Sequence, residues 1–159
     1  MPQIRATASA VIMAPPATVY RLIADYHRGH PRILPPRYFR NLQVEAGGTG
    51  AGTRIRYEMR AFGMVRTFRA EITEPGPGRR LLETDVDSGI ATTFTVEPKD
   101  DGRRSHVTIE TVYQKAGIRG WLERLLAPRL LRTIYGAELR QLETQARMEG
   151  RKWEVSGER

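Results

Sequence analysis

Apolar and polar residues alternate over residues 54–62. Ile55, Tyr57, Met59 and Ala61 fall on one face, and Arg54, Arg56, Glu58 and Arg60 on the other. A period of two marks a strand with one face covered and one in water. The alternation recurs over residues 65–73, where Phe68, Ala70 and Ile72 oppose Arg69, Glu71 and Thr73. Residues 4–13, 41–45, 81–86, 91–97 and 107–113 supply five further strands. Turn signals separate them: the glycines of residues 47–52, Gly63, Pro75-Gly76-Pro77-Gly78, Asp87-Ser88-Gly89 and Lys99-Asp100-Asp101-Gly102. Glycine and proline set the backbone angles that such turns need. Connections this short pair strands antiparallel.

The period changes in two places. Over residues 18–25, Val19, Leu22 and Ile23 recur at helical spacing, and Pro15 or Pro16 suits the opening of a helix. His30-Pro31 and Pro35-Pro36 then break helical continuity and leave room for a short turn at residues 32–34. Residues 118–148 carry a long apolar stripe through Trp121, Leu122, Leu125, Leu126, Leu130, Leu131, Ile134, Tyr135, Leu139 and Leu142. Pro128 lies inside it and predicts a kink or a split. A sheet with one apolar face needs a cover, and this segment is the one long enough to supply it. The expected fold is therefore α+β: a seven-stranded curved antiparallel sheet wrapped around a long C-terminal helix, with two short helices after the first strand. Residues 1–150 are expected to form the domain, and residues 151–159 a polar, frayed tail.

Composition narrows the function. The chain has 159 residues, enough for one core. It has no cysteine, which excludes disulfide scaffolds, thiolate metal sites and cysteine nucleophiles. Three histidines, His27, His30 and His106, make a histidine-rich metal site unexpected, so the reading is no metal and no cofactor. The first residues lack the apolar core of a signal peptide, and no apolar run is long enough to span a membrane. A cytoplasmic protein, monomer or homodimer, is the expectation.

The formal charge is +8, and 23 of the 26 basic residues are arginine. Such an excess raises a nucleic-acid or anionic-membrane reading. Mapping it changes that picture. Residues 1–60 carry +6, residues 61–117 carry −1 and residues 118–159 carry +3. Arg21, Arg28, Arg32, Arg37 and Arg40 gather near the first helix, and Arg119, Arg124, Arg129 and Arg132 on the long one. Base-stacking aromatics are not interleaved with them, apart from Tyr38 and Phe39, and no nucleic-acid module pattern matches. No nucleic-acid partner is expected. A weak contact with anionic membrane stays open, since an arginine-edged half-helix containing Trp121 suits such a surface.

Three stretches carry a resemblance. Residues 14–26, Ala-Pro-Pro-Ala-Thr-Val-Tyr-Arg-Leu-Ile-Ala-Asp-Tyr, resemble the first strand-to-helix junction of the START-like, or SRPBCC, superfamily. Gly47-Gly48-Thr49-Gly50-Ala51-Gly52-Thr53 resembles the turn before its third strand. Residues 117–123 and 138–142 resemble its closing helix. The likeness covers residues 3–148, and its nearest branch is the bacterial polyketide cyclase/dehydrase type. It implies a helix-grip fold with a cavity between sheet and helix, used in that superfamily for lipids, sterols, polyketides and other apolar molecules. Such a fold does not fix a function.

On that reading the partner is a small hydrophobic molecule. Its binding residues, taken from the alternation, are Tyr57, Met59, Phe68, Ile72, Phe94, Val96, Ile109 and Tyr113 on the sheet, facing Leu122, Leu126, Leu130 and Ile134 on the helix. The plain alternative is a filled core. Tyr57 and Tyr113 would orient a ligand through their hydroxyls. Glu83 and Asp85 share a phase and could serve as acid and base. A solvated strand face is the commoner reading for such a pair, and it turns Leu82, Thr84 and Val86 inward. His30 reads as a surface histidine, with a general base as its alternative. No nucleophile triad, phosphate loop or metal spacing appears, so catalytic residues stay unassigned. Two further functions remain beside ligand binding: a polyketide cyclase/aromatase or dehydratase, and a lipid-shuttling module on anionic membranes.

Overall fold

A computed structural model describes residues 2–157. The order is β1 (Gln3–Ile12), α1 (Pro16–Ala24), α2 (His30–Ile33), β2 (Phe39–Ala46), β3 (Arg54–Ala61), β4 (Met64–Gly76), β5 (Arg80–Asp85), β6 (Ala91–Lys99), β7 (Arg104–Gln114), α3 (Trp121–Leu125) and α4 (Pro128–Gly157). The seven strands form one antiparallel sheet in the order β1-β7-β6-β5-β4-β3-β2. Successive hairpins lay down β2 to β7, and β7 then pairs with β1 along ten residues, from Gln3–Gln114 to Ile12–Ser105. This is the expected curved sheet and long helix in a helix-grip arrangement.

The split expected at Pro128 is present, and two other boundaries differ from expectation for physical reasons. The apolar stripe over residues 118–148 is carried by two helices. Gly120 adopts φ 65°, a left-handed conformation, and holds the chain out of helix until Trp121. Pro128 opens α4, where its missing N–H costs nothing, and the first α4 bond runs from the Leu131 amide to the Ala127 carbonyl at 3.0 Å. At the other end α4 continues to Gly157, into the segment expected as a tail; residues 158 and 159 lie outside the described residues. The turn predicted at Pro75-Gly76 falls later, because β4 extends to Gly76 through a shift in register after Thr73.

The core lies between the concave face of the sheet and α1, α2 and α4. Ile72, Val96, Ile109, Ile134 and Leu142 are each at most 2 % exposed. Removing such a side chain costs about 2–5 kcal/mol. The glycine-rich stretch joins this core to α1: the Tyr26 amide donates to the Gly48 carbonyl at 2.8 Å and the Gly50 amide to the Ala24 carbonyl at 3.0 Å. Gly50 adopts φ +61°, a conformation L side chains rarely take, and a Cβ there would also displace Glu74 Oε1, 2.2 Å away. That carboxylate also accepts from the Ala51 amide and the Tyr20 hydroxyl.

Candidate functional site

The sheet does not close on α4 everywhere. Between them lies a cavity offering about 50 Å³ to the centres of water molecules. That is room for a few waters, and more only if the walls move. The apolar wall comes from β2 to β4 and β6, with Phe39, Leu42, Ile55, Tyr57, Met59, Phe68, Ala70 and Phe94. Leu34, Ile90, Leu126 and Leu131 complete it. Tyr57 stacks on Phe68 with centroids 5.6 Å apart, and Phe39 tilts against Tyr57 at 5.9 Å.

The rest of the lining is polar: His30, Glu83, Asp85, Thr92, Thr111, Tyr135 and Glu138. His30 is 2 % exposed, so the surface reading does not hold. Its placement follows from the chain around it. Asp25 ends α1, and its carbonyl accepts from the His30 amide at 2.7 Å. The Asp25 carboxylate accepts from the amides of His27 and Arg28. Gly29 lets α2 approach α1: a Cβ there would lie 2.4 Å from the Leu22 carbonyl oxygen. The imidazole stacks on Tyr26 at 4.4 Å and meets Phe94 edge-on at 5.6 Å. Its Nδ1 lies 2.7 Å from the Ile23 carbonyl, which can only accept, so Nδ1 carries the hydrogen. Nε2 is left facing Glu83 Oε1 at 3.4 Å.

Glu83 and Asp85 also point inward, which overturns the reading that put Leu82, Thr84 and Val86 there. Leu81 is fully buried in the same phase, whereas Val86 is 46 % exposed. The two carboxylates differ in use. Asp85 accepts from the Arg69 amide and from the Ser88 amide and hydroxyl, so it holds the β5–β6 turn. Glu83 accepts from the Tyr26 hydroxyl at 2.5 Å. Opposite them, Glu138 stands on α4, 2 % exposed, and its Oε1 has no hydrogen-bond partner among the described residues. Burial, and then the charge of Glu83, push its carboxyl well above the usual range. Burial and Glu83 likewise raise the Tyr26 and Tyr57 hydroxyls. A relay of hydroxyls, Thr92 to Thr111 at 2.7 Å and Thr111 to Tyr135, runs along the wall beside Glu138.

Five of the twelve expected binding residues line this cavity: Tyr57, Met59, Phe68, Phe94 and Leu126. Ile72, Val96, Ile109 and Ile134 are packed in the core instead. Tyr113 donates its hydroxyl to the Leu126 carbonyl at 2.5 Å, at the break between α3 and α4. Leu122 packs against the core, and Leu130 lines an outer groove. Sequence reasoning placed His30 and Glu83 on the surface, with an acid–base role as the alternative, and missed Tyr135 and Glu138 as wall residues. A signal existed for the last: Leu131, Tyr135, Glu138 and Leu142 follow one helical stripe, so a carboxylate sits in core phase.

The outer groove adjoins along the same elements, lined by Pro36, Arg37, Tyr38, Arg40, Arg60, Ala61, Phe62, Gly63 and Leu130. Here the cations rest on rings: Arg37 over Tyr38, Arg66 over Trp121 and Arg124 over Phe62, the last at 4.4 Å. Trp121 ties α3 to the β3–β4 hairpin by donating Nε1–H to the Ala61 carbonyl at 3.3 Å. Among the described residues, no helix is long and apolar enough to cross a membrane.

This sheet, helix and interior cavity define a START-like helix-grip fold. Residues 3–147 match the profile described as polyketide cyclase / dehydrase and lipid transport, and the chain belongs to that family. Among solved structures, it is similar to the KanY protein (ms6282), at 30% identity over 92% of this chain and 99% of that one, with a TM-score of 0.78. The Zhui aromatase/cyclase from Streptomyces sp. R1128 shares the fold at 15% identity, over 92% and 94% of the two chains, with a TM-score of 0.70. A START superfamily protein from Mycobacterium smegmatis does so at 12% identity, over 91% and 97%, with a TM-score of 0.70. Among curated proteins none matches significantly.

Proposed function

We propose that the chain binds a small, largely apolar molecule in the cavity between the sheet and α4. The observation that carries this reading is an interior space walled by aromatic and aliphatic side chains, with polar groups gathered at one side. Ligand sites combine these two features: apolar area supplies affinity and a few fixed polar groups supply orientation. A ring-sized ligand exceeds this space and enters by displacing the cover. The short helix α3 suits that movement, since Leu126 and Ala127 separate it from α4 and a Trp121 hydrogen bond holds it to Ala61. The test is titration with naphthol and with a fluorescent fatty acid. Saturable binding that is weakened by Leu131→Trp, which fills the cavity, supports the reading. Binding insensitive to that change, or none, defeats it.

One observation favours a second reading, a cyclase or dehydratase. An imidazole, His30, and a carboxyl, Glu138, face the same cavity, and these are the side-chain types that general acid–base chemistry uses. Turnover of an aromatic β-hydroxy ketone that disappears in Glu138→Gln would establish it. Turnover unchanged in that variant would remove Glu138 from any mechanism.

A further inference from the structure

Among the described residues, every ionisable side chain on the cavity wall, apart from tyrosine, is a carboxyl or His30, and no lysine or arginine lines it. That contrasts with a chain whose formal charge is +8. Within this set, Asp85 is committed to its turn and Glu83 to Tyr26. Glu138 is not committed: it is buried, it faces the cavity, and Oε1 is without a partner. A buried carboxyl oxygen left unpaired costs free energy, and a partner arriving from the cavity would recover it. The fold has already taken this carboxyl out of water, so a ligand meets only its own desolvation.

The shape of the missing partner follows from the neighbours. It must donate hydrogen bonds, since Glu138 Oε1 and Glu83 both present lone pairs. It gains from positive charge, because two carboxyls face it. It is attached to a flat apolar body, because Tyr57, Phe68, Phe39 and Phe94 form the remaining wall. Those rings also attract a cation through their faces. We propose that the cavity recognises an aromatic amine-bearing ligand, whose ammonium group pairs with Glu138 and Glu83 while its ring lies among the aromatic residues. This rests on the ligand-binding reading above and specifies its chemical class.

The protonation is balanced without any further reactant. Burial and the charge of Glu83 raise the Glu138 carboxyl well above the usual range, so its protonated form can donate to an incoming base. If the amine arrives neutral, one proton passes from Glu138 to its nitrogen, and the product is an ammonium–carboxylate pair. An amine arriving charged displaces that proton from Glu138 to solvent. The groups facing Glu138 in either case are Glu83 and Asp85 from β5, His30 from α2, Tyr57 from β3, Tyr26, and Tyr135 on α4 itself. The arginines of the outer groove stand in solvent, where their repulsion is screened.

Three probes with the same ring separate the outcomes: phenethylamine, phenylethanol and phenylpropionate. Calorimetric or NMR titration of the full chain should rank them amine, alcohol, carboxylate, with roughly tenfold or more between the first two. Glu138→Gln should bring amine and alcohol to within about twofold of each other, chiefly by weakening the amine. This variant keeps size and shape, and its thermal unfolding reports that it folds. Glu83→Gln, a second variant, should reduce the preference in part. An alcohol that binds as tightly as the amine overturns the proposal and leaves the ligand-binding reading standing. So does an amine preference that survives in Glu138→Gln. If none of the three binds, and naphthol also fails, the ligand-binding reading falls and this proposal with it.

Discussion

The inner wall of the cavity and its outer rim handle charge in opposite ways. At the rim, Arg37, Arg66 and Arg124 lie over aromatic rings with water around them, and the hairpin tip leaves Phe62 49 % exposed. Each of these interactions is worth little alone. Inside, Glu138 is 2 % exposed and His30 likewise, so their polar atoms are withdrawn from water. The lesson is that the large net charge of the chain says little about its chemistry. Three carboxyls in the interior say more, because burial raises the energetic weight of each.

Breaking the inner wall should have the largest effect. Phe94→Ala removes a nearly buried ring that also positions His30, and should lower stability by about 3–5 kcal/mol in urea unfolding. A loss below about 1 kcal/mol would mean that the cavity collapses freely. Next comes Gly29→Ala. The added methyl meets the Leu22 carbonyl, so α2 must shift away from α1, at a cost of about 1–3 kcal/mol and with changed His30 ring resonances in NMR.

The third prediction concerns pH. Glu138 titrates in the folded chain well above its usual range, while in the unfolded chain it titrates near about 4.3. Over the interval between these values the folded state holds a proton that the unfolded state has released. Its contribution to stability is therefore complete below the unfolded value and is lost as pH rises through the folded one, by at most about 1.4 kcal/mol per pH unit. Urea midpoints of Glu138→Gln should fall less steeply than those of the parent from about pH 4 upwards. Parallel curves would show that Glu138 is ionised in the fold.

At the rim the expected effects are small. Arg60→Gln should change stability by less than about 0.5 kcal/mol. The exposed Phe62, Met64 and Val65, set among Arg60, Arg66 and Arg124, predict weak association with anionic vesicles that salt disperses. Phe62→Ser should reduce vesicle co-sedimentation and leave naphthol binding unchanged. A rim substitution that abolishes naphthol binding would erase the distinction between the two regions.

How much of this was readable in the sequence differs in the same way. The seven strands and the split at Pro128 follow from local rules, alternation and proline geometry, which residues 54–73 and 128 obey. The interior does not follow from them. Alternation shows which side of β5 differs from the other, but Leu81 and Leu82 allow either phase to face inward. The choice was made by pairing with β4 and β6, where Leu81 meets Phe94. His30 was hidden because its burial depends on Gly29 bringing α2 against α1, and on Tyr26 and Phe94 closing over it. Tyr113 looked like a cavity hydroxyl and instead secures the α3–α4 break, since Leu126 offers a carbonyl where the helix is interrupted.

The most direct test of the central claim is an isotope-filtered NMR experiment on the chain saturated with naphthol. The account predicts contacts from the naphthol ring to the methyls of Met59, Leu126 and Leu131 and to the Phe94 ring, with the His30 signals shifted. Contacts confined to Phe62, Met64 and Val65 at the hairpin tip, with the interior resonances unmoved, would contradict it.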